Sequence, residues 1–173
     1  EDCKDIWLWR NNKIAIINSF NDKKIEWSDH QNWFKKSLND PKKTLLIATN
    51  TQNKKLGLVR FSEQNNYESE VSINLNPDYI GKKLSKSILK EAISFYKKEK
   101  FVILIAKVKS HNFASIKCFE SCEFSLQEKK NDFLIYKNKN LLIDQIEKIR
   151  LENNENWINL IEVAMKNSSI KTK

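Results

Sequence analysis

No stretch of the 173 residues approaches the roughly 20 consecutive apolar positions that a membrane span requires, which argues against a membrane partner. The first residues also lack the basic and apolar regions of a secretory signal, so a soluble, cytoplasmic protein is the expectation. Cysteine is scarce. Three residues, an odd number, with Cys118 and Cys122 at helical spacing, do not make a disulfide framework. Nor do those two thiols, with no histidine near them, supply more than half a tetrahedral shell, so no metal is expected and the cysteines read as small helix residues. A dense basic block and an aromatic RNA-binding signature are both missing, which removes nucleic acid as a partner despite a formal charge of +9. The 31 lysines and arginines are instead scattered among asparagines and isoleucines along the whole chain, as an AT-rich coding sequence produces. The excess of positive charge still suits a cleft that attracts polyanions.

What the chain does have is 40% hydrophobic residues, enough at this length for one domain with a real core. The most informative stretch runs from Glu70 to Phe124. Val71, Ile73 and Leu75 alternate with Ser72 and Asn74 at the period of a half-buried strand, and Asn76-Pro77-Asp78 ends the run because proline cannot donate to a ladder. Gly81 follows at once. Leu84, Ile88, Ala92 and Tyr96, widened by Leu89 and Ile93, then trace a helical stripe, with Lys82, Lys86, Lys90 and Lys97 off it on a wet, basic face. A helix entered from a strand through a glycine presents unpaired N–H groups and the positive end of its dipole, a cradle for a pyrophosphate. Phe101 to Ala106 is a short, continuous, β-branched run and reads as a strand buried on both faces. A polar segment, Lys107 to Asn112, then opens a second helix through about Ser121.

Asn112 with Ser115 three residues on, the apolar helix face of Ile116 and Phe119, and Phe124 where Gly-Phe is usual resemble the GNAT family of N-acetyltransferases. The resemblance covers nearly all of residues 2 to 137. It implies an α/β fold with a mixed, mostly antiparallel central sheet flanked by helices, acetyl-CoA as acetyl donor, and an amine acceptor. Within the family, Trp9-Arg10-Asn11, Asn18-Ser19-Phe20 and His30-Gln31-Asn32-Trp33-Phe34 look most like acetyltransferases of nucleotide-linked 4-amino-4,6-dideoxy sugars on the route to pseudaminic and related nonulosonic acids. A protein N-terminus or a small amine is the alternative acceptor, and a non-catalytic binding or assembly domain the alternative role.

The remaining elements follow from local pattern. Asp2 to Arg10 reads as a helix, and the resembled fold places an edge strand before it, so the chain reads as a piece of a longer protein, with a fused N-terminal domain or a homodimer as further partners. Ser28 to Gln31 fits a capping box with Ser28 as N-cap, Thr44 to Thr49 and Lys55 to Phe61 form a hairpin, and Tyr67 to Leu75 is the next strand. Phe124 to Lys129 and Phe133 to Tyr136 form a second hairpin around Lys130-Asn131-Asp132. These make a domain over residues 1–140. Residues 141–173 read as a helical hairpin extension, with Leu142, Ile146 and Ile149 on one face and Trp157, Leu160, Ile161 and Ala164 on another.

Acetyl transfer to an amine needs a group to take the amine's proton. Glu70 matches the glutamate that many GNAT enzymes use, and Glu68 points to the same strand face at period two. The resemblance also implies an oxyanion donor among the backbone N–H groups of the Glu70 to Leu75 strand, at Ser72 or Ile73. It implies a cofactor cradle of Leu75 and Gly81, Lys82, Lys83, Leu84, Ser85 and Lys86, and a pantetheine contact at Asn112 with Ser115 beside it. Two positions depart from the family pattern. Lys83 stands where the phosphate turn usually has a small residue, and Phe119 aligns with the tyrosine that protonates the leaving thiolate, leaving Tyr136, Tyr79, a water or unassisted departure. Trp9, Arg10, His30 and Trp33 offer flat apolar faces, a bidentate anion partner and a titratable ring for a nucleotide sugar.

Overall fold

The computed structural model describes residues 1–100 and 102–138, and the region 141–173 lies outside them. Glu1–Asn138 forms one compact unit. Three helices come first, α1 (Asp2–Arg10), α2 (Lys13–Ile17) and α3 (Trp27–Leu38). Strands β1 (Lys43–Thr49), β2 (Lys55–Glu63) and β3 (Glu68–Leu75) follow, then a 3-10 turn (Pro77–Tyr79) and α4 (Ser85–Lys97). Strand β4 (Ile103–Lys109), helix α5 (Phe113–Glu120) and strands β5 (Phe124–Lys129) and β6 (Phe133–Asn138) complete the described elements.

Six strands make one sheet in the order β1-β2-β3-β4-β6-β5. Every pairing is antiparallel except β3 with β4, which α4 connects. This is the mixed, mostly antiparallel α/β sheet expected from the sequence.

The alternation of side chains divides the sheet into two environments. On one face Val59, Phe61, Val71, Leu104, Ala106 and Tyr136 pack under Ile88, Leu89, Ala92 and Tyr96 of α4 and Phe119 of α5. Phe61 and Tyr96 stack with ring centroids 4.0 Å apart, and the Tyr96 hydroxyl shares a hydrogen bond of 2.8 Å with Ser69. On the other face Ile6 and Trp9 of α1 pack with Leu58, Leu45 and Ile47, joined by Trp33 and Phe34 of α3. Lys55 reaches up to Asp2 and Asp5 of α1, each at 2.7 Å, and fixes the start of that helix against β2. Gly57 on β2 permits close approach to β3: a Cβ there would lie 2.8 Å from the Asn74 carbonyl oxygen.

Several boundaries differ from the sequence reading. Helix α3 starts at Trp27 with Glu26 at its N-cap and no side-chain cap bond, so Ser28 lies inside the first turn. The reason is tertiary: Trp27 packs edge-on to Trp7 at 5.3 Å, and the Trp7 indole donates to the Ile25 carbonyl at 2.7 Å. Strand β4 sits further along than Phe101 to Ala106, extended to Lys109 by its pairing with β6. Lys97 is not on a wet face. It is half-buried and donates to the Asn138 side chain, and burial lowers its pKa.

Candidate active site

The only parallel pairing among the described strands opens the site. Strands β3 and β4 are in register at Glu68↔Ile103, Ser69↔Leu104 and Glu70↔Ile105, and their ladder ends there. The Ile103 N–H donates to the Tyr67 carbonyl at 2.7 Å, so odd-numbered residues of β3 turn their backbone groups toward β4 and even-numbered ones toward β2. The last rung engages Ser69 and Val71. Ile73 is therefore the first residue whose N–H faces the opening, with Leu75 after it, while the Ser72 N–H points into the β2 ladder.

A cleft of about 650 Å³ occupies this opening. At one end, Gly81 has φ of +80° and Lys83 of +59°, so the chain makes two left-handed steps between β3 and α4. Helix α4 then begins without a side-chain cap, which leaves the first N–H groups of the helix without side-chain partners where Leu84 and Ser85 border the cleft. Gly81, Lys83, Leu84 and Ser85 line the cleft. Lys82 and Lys86 do not; the Lys82 ammonium instead lies 4.8 Å from the centre of the Tyr79 ring. Asn112 caps α5 by accepting from the Ser115 N–H at 3.2 Å, and its amide donates to the Ser115 hydroxyl at 3.0 Å. Both residues line the cleft opposite β3, with Phe119 and Cys118 behind them.

The other end lies on the α1–α3 face of the sheet, where Leu58, Arg60, Glu70, Ser72 and Asn74 project together. Arg60 is the register partner of Ser72, so it is the diagonal neighbour of Glu70. Glu70 Oε2 accepts from Lys107 Nζ of β4 at 2.8 Å. Arg10 reaches in from α1. One guanidinium nitrogen donates to the Asn21 carbonyl at 2.6 Å, while Nη1 is buried with no partner among the described residues. Asn11 beside it pins the same loop, exchanging two 2.8 Å hydrogen bonds with the Ile25 backbone.

Other residues singled out from the sequence lie elsewhere. Glu68 is outside the cleft lining, bonded to Lys137 at 2.7 Å and Asn65 at 3.1 Å; the Lys137 ammonium chiefly holds its carboxyl below the usual range. Tyr136 is 2% exposed and donates to the Glu120 carboxylate at 3.1 Å, away from the cleft lining. Trp9 is core, packed with Ile6 and Leu58. His30 lines the cleft wall but is 2% exposed, wedged among Trp27, Trp33 and Phe34. Its Nε2–H donates to the Cys3 carbonyl at 2.8 Å, since a carbonyl can only accept. Burial lowers its pKa and keeps the ring neutral. Arg60 and Lys107 complete the site without having been singled out in the sequence. Strand parity relative to Glu70 is the signal that would have found them.

Residues 1–125 match the sequence model of the acetyltransferase (GNAT) domain. The chain belongs to the GNAT acetyltransferase family. Solved structures share this GNAT fold. The spermidine N-acetyltransferase of Vibrio cholerae, in complex with CoA and spermine, has a TM-score of 0.69 at 16% identity, over 79% of this chain and 87% of that one. The N-acetyltransferase PseH of Campylobacter jejuni, in complex with acetyl coenzyme A, has a TM-score of 0.63 at 19% identity, over 80% and 89%. A domain from Methanocaldococcus jannaschii has a TM-score of 0.68 at 22% identity, over 79% and 90%. An uncharacterized protein of the same archaeon is 24% identical over 130 residues, which are 74% of this chain and 27% of that protein. The chain thus spans about a quarter of that relative. Lys83, with φ of +59°, takes a left-handed backbone conformation that glycine adopts without strain.

Proposed function

We propose that this chain is an acetyl-CoA-dependent N-acetyltransferase whose acceptor is the amine of a nucleotide-linked amino sugar, used in surface polysaccharide or nonulosonic acid biosynthesis. The charge of the cleft carries this reading. Arg10, Arg60 and Lys107 line its acceptor end, and Glu70 is the single carboxylate among the described lining residues of the cleft. A polyamine, itself a polycation, would be repelled by such a wall, whereas an acceptor with phosphates is drawn to it. The unpartnered Nη1 of Arg10 strengthens the argument. A buried donor without an acceptor costs about 1–3 kcal/mol, and a phosphate oxygen would satisfy it in the fork geometry that arginine favours.

Acetyl-CoA supplies the activated thioester. The N–H groups at the start of α4, with Lys83, meet its pyrophosphate. Asn112 and Ser115 flank the pantetheine path along the opening. The Ile73 N–H takes the negative charge that develops on the thioester oxygen, and Glu70 accepts the amine's proton directly or through a water. As the C–N bond forms and the C–S bond breaks, the thiolate departs without a tyrosine, because Phe119 has no proton to give. CoA release measured with a UDP-linked 4-amino-4,6-dideoxy sugar, spermidine and a peptide tests the proposal. Turnover of the nucleotide sugar, with a raised KM for it in Arg10→Ala, is expected. Turnover of spermidine or the peptide alone overturns the acceptor assignment, and turnover of no amine makes this a non-catalytic domain.

A further inference from the structure

A second cavity, of about 420 Å³, lies beyond the Glu70–Lys107 ion pair. Phe20, Glu70, Lys107, Lys130, Phe133 and Ile135 line it. The first three line the main cleft as well, so the two spaces adjoin at the candidate base. None of residues 81 to 86 borders the second cavity, which separates it from the cofactor's phosphate turn.

Its walls combine flat rings with cations. Phe133 and Phe20 meet edge-to-face, with centroids 5.4 Å apart and planes at 88°. Phe20 is 56% exposed, so a ring face stays open to a ligand. The Lys130 ammonium lies 5.8 Å from the centre of the Phe133 ring, and its other neighbour is Glu128 at 3.5 Å. The segment that carries Phe20 is tied down on both sides. Lys109 donates to the Ile17 carbonyl at 3.2 Å, and Arg10 donates to the Asn21 carbonyl at 2.6 Å. An exposed phenylalanine fixed in this way, beside lysines and next to a catalytic carboxylate, has the chemistry of a base-stacking platform: an aromatic face for a heterocycle and positive charge for the phosphates attached to it.

We propose that this second cavity is the nucleobase subsite of the acceptor, with the base against Phe20 and Phe133 under Lys130. The phosphates then run between Lys107 and Arg10, and the sugar amine turns back to Glu70. The inference rests on the reading of the acceptor as nucleotide-linked, and it names where that nucleotide sits.

Binding tests it without requiring turnover. UDP, GDP and CDP are titrated in turn by calorimetry into the full chain saturated with acetyl-CoA, which fills the other phosphate site. The expected result is binding of at least one nucleotide, weakened about tenfold or more in Phe20→Ala, as loss of a stacked base predicts. Lys130→Glu should weaken it too, more at low salt than at high. Acetyl-CoA affinity should be unchanged in both variants, since neither side chain touches the phosphate turn. Equal affinity in Phe20→Ala, or no nucleotide binding at all, overturns the subsite. Phe20-dependent binding with no acetylation of any nucleotide-linked amine keeps the subsite and removes the acceptor reading. Acetylation of a nucleotide-linked amine with an unchanged KM in Phe20→Ala does the reverse.

Discussion

Glu70 and Lys107 form an ion pair of 2.8 Å where β3 and β4 part company. The pair closes off the end of the parallel ladder and places a carboxylate beside the edge on which the Ile73 N–H is free. In the proposed reading, an amine that approaches this edge meets the Glu70 carboxylate on one side and the Ile73 backbone donor on the other.

Replacing Glu70 by Gln should therefore lower kcat by about 10²–10⁴, with little change in acetyl-CoA affinity. Glu68→Gln should retain activity, since Glu68 is engaged with Lys137 and Asn65 outside the cleft lining. Steady-state kinetics of both variants provide the check. Full activity in Glu70→Gln with loss in Glu68→Gln would transfer the role.

Lys83→Gly should stabilise the folded chain by about 1 kcal/mol or less, the balance of a relieved left-handed residue and a more flexible unfolded chain. Acetyl-CoA affinity should stay the same or fall modestly, and fall more at low salt, because a cation near two phosphates is lost while the backbone donors remain. Urea unfolding and calorimetry read the two quantities. If the variant binds about tenfold tighter, or about 1.4 kcal/mol, the lysine obstructs the turn.

His30 gives stability a defined pH dependence. Burial depresses its folded-state pKa below the ordinary 6.5, so the unfolded chain binds the proton more readily. Its contribution is fully present above pH 6.5 and is lost as pH falls below that value. The midpoint of urea unfolding should drop between about pH 7 and 5 in the wild type. His30→Gln should start less stable but lose this part of the slope. An equal slope in both proteins would assign the dependence to other groups.

The hairpins, the strand before the turn and the amphipathic α4 were legible because each is set by short-range periodicity, whereas the N-cap role of Asn112 was not read from the sequence. Sidedness was harder to read. Trp9 sits on a helix whose polar and apolar residues are interleaved, and His30 is a polar residue on the packed side of α3, so only the packing of α1 and α3 on the sheet decides that both are buried. Arg60 looked like one more scattered basic residue until the antiparallel register set it opposite Ser72. The donor left open between Ser72 and Ile73 depends on which neighbour each N–H addresses, a property of pairing and not of side chains.

The two glycines of the chain restrict substitution for unlike reasons. At Gly81 a Cβ would meet nothing within 4 Å, and only the dihedral of +80° resists a side chain, so handedness is the constraint. Asparagine, which tolerates that region, is an admissible replacement there. At Gly57 the obstacle is volume, because even a methyl group would press on the Asn74 carbonyl at 2.8 Å and push β3 away from β2. A mutational scan would find position 57 closed to every other residue and position 81 graded by conformational preference. The intolerance at 57 would be felt at Glu70 and Ile73, which ride on the displaced strand.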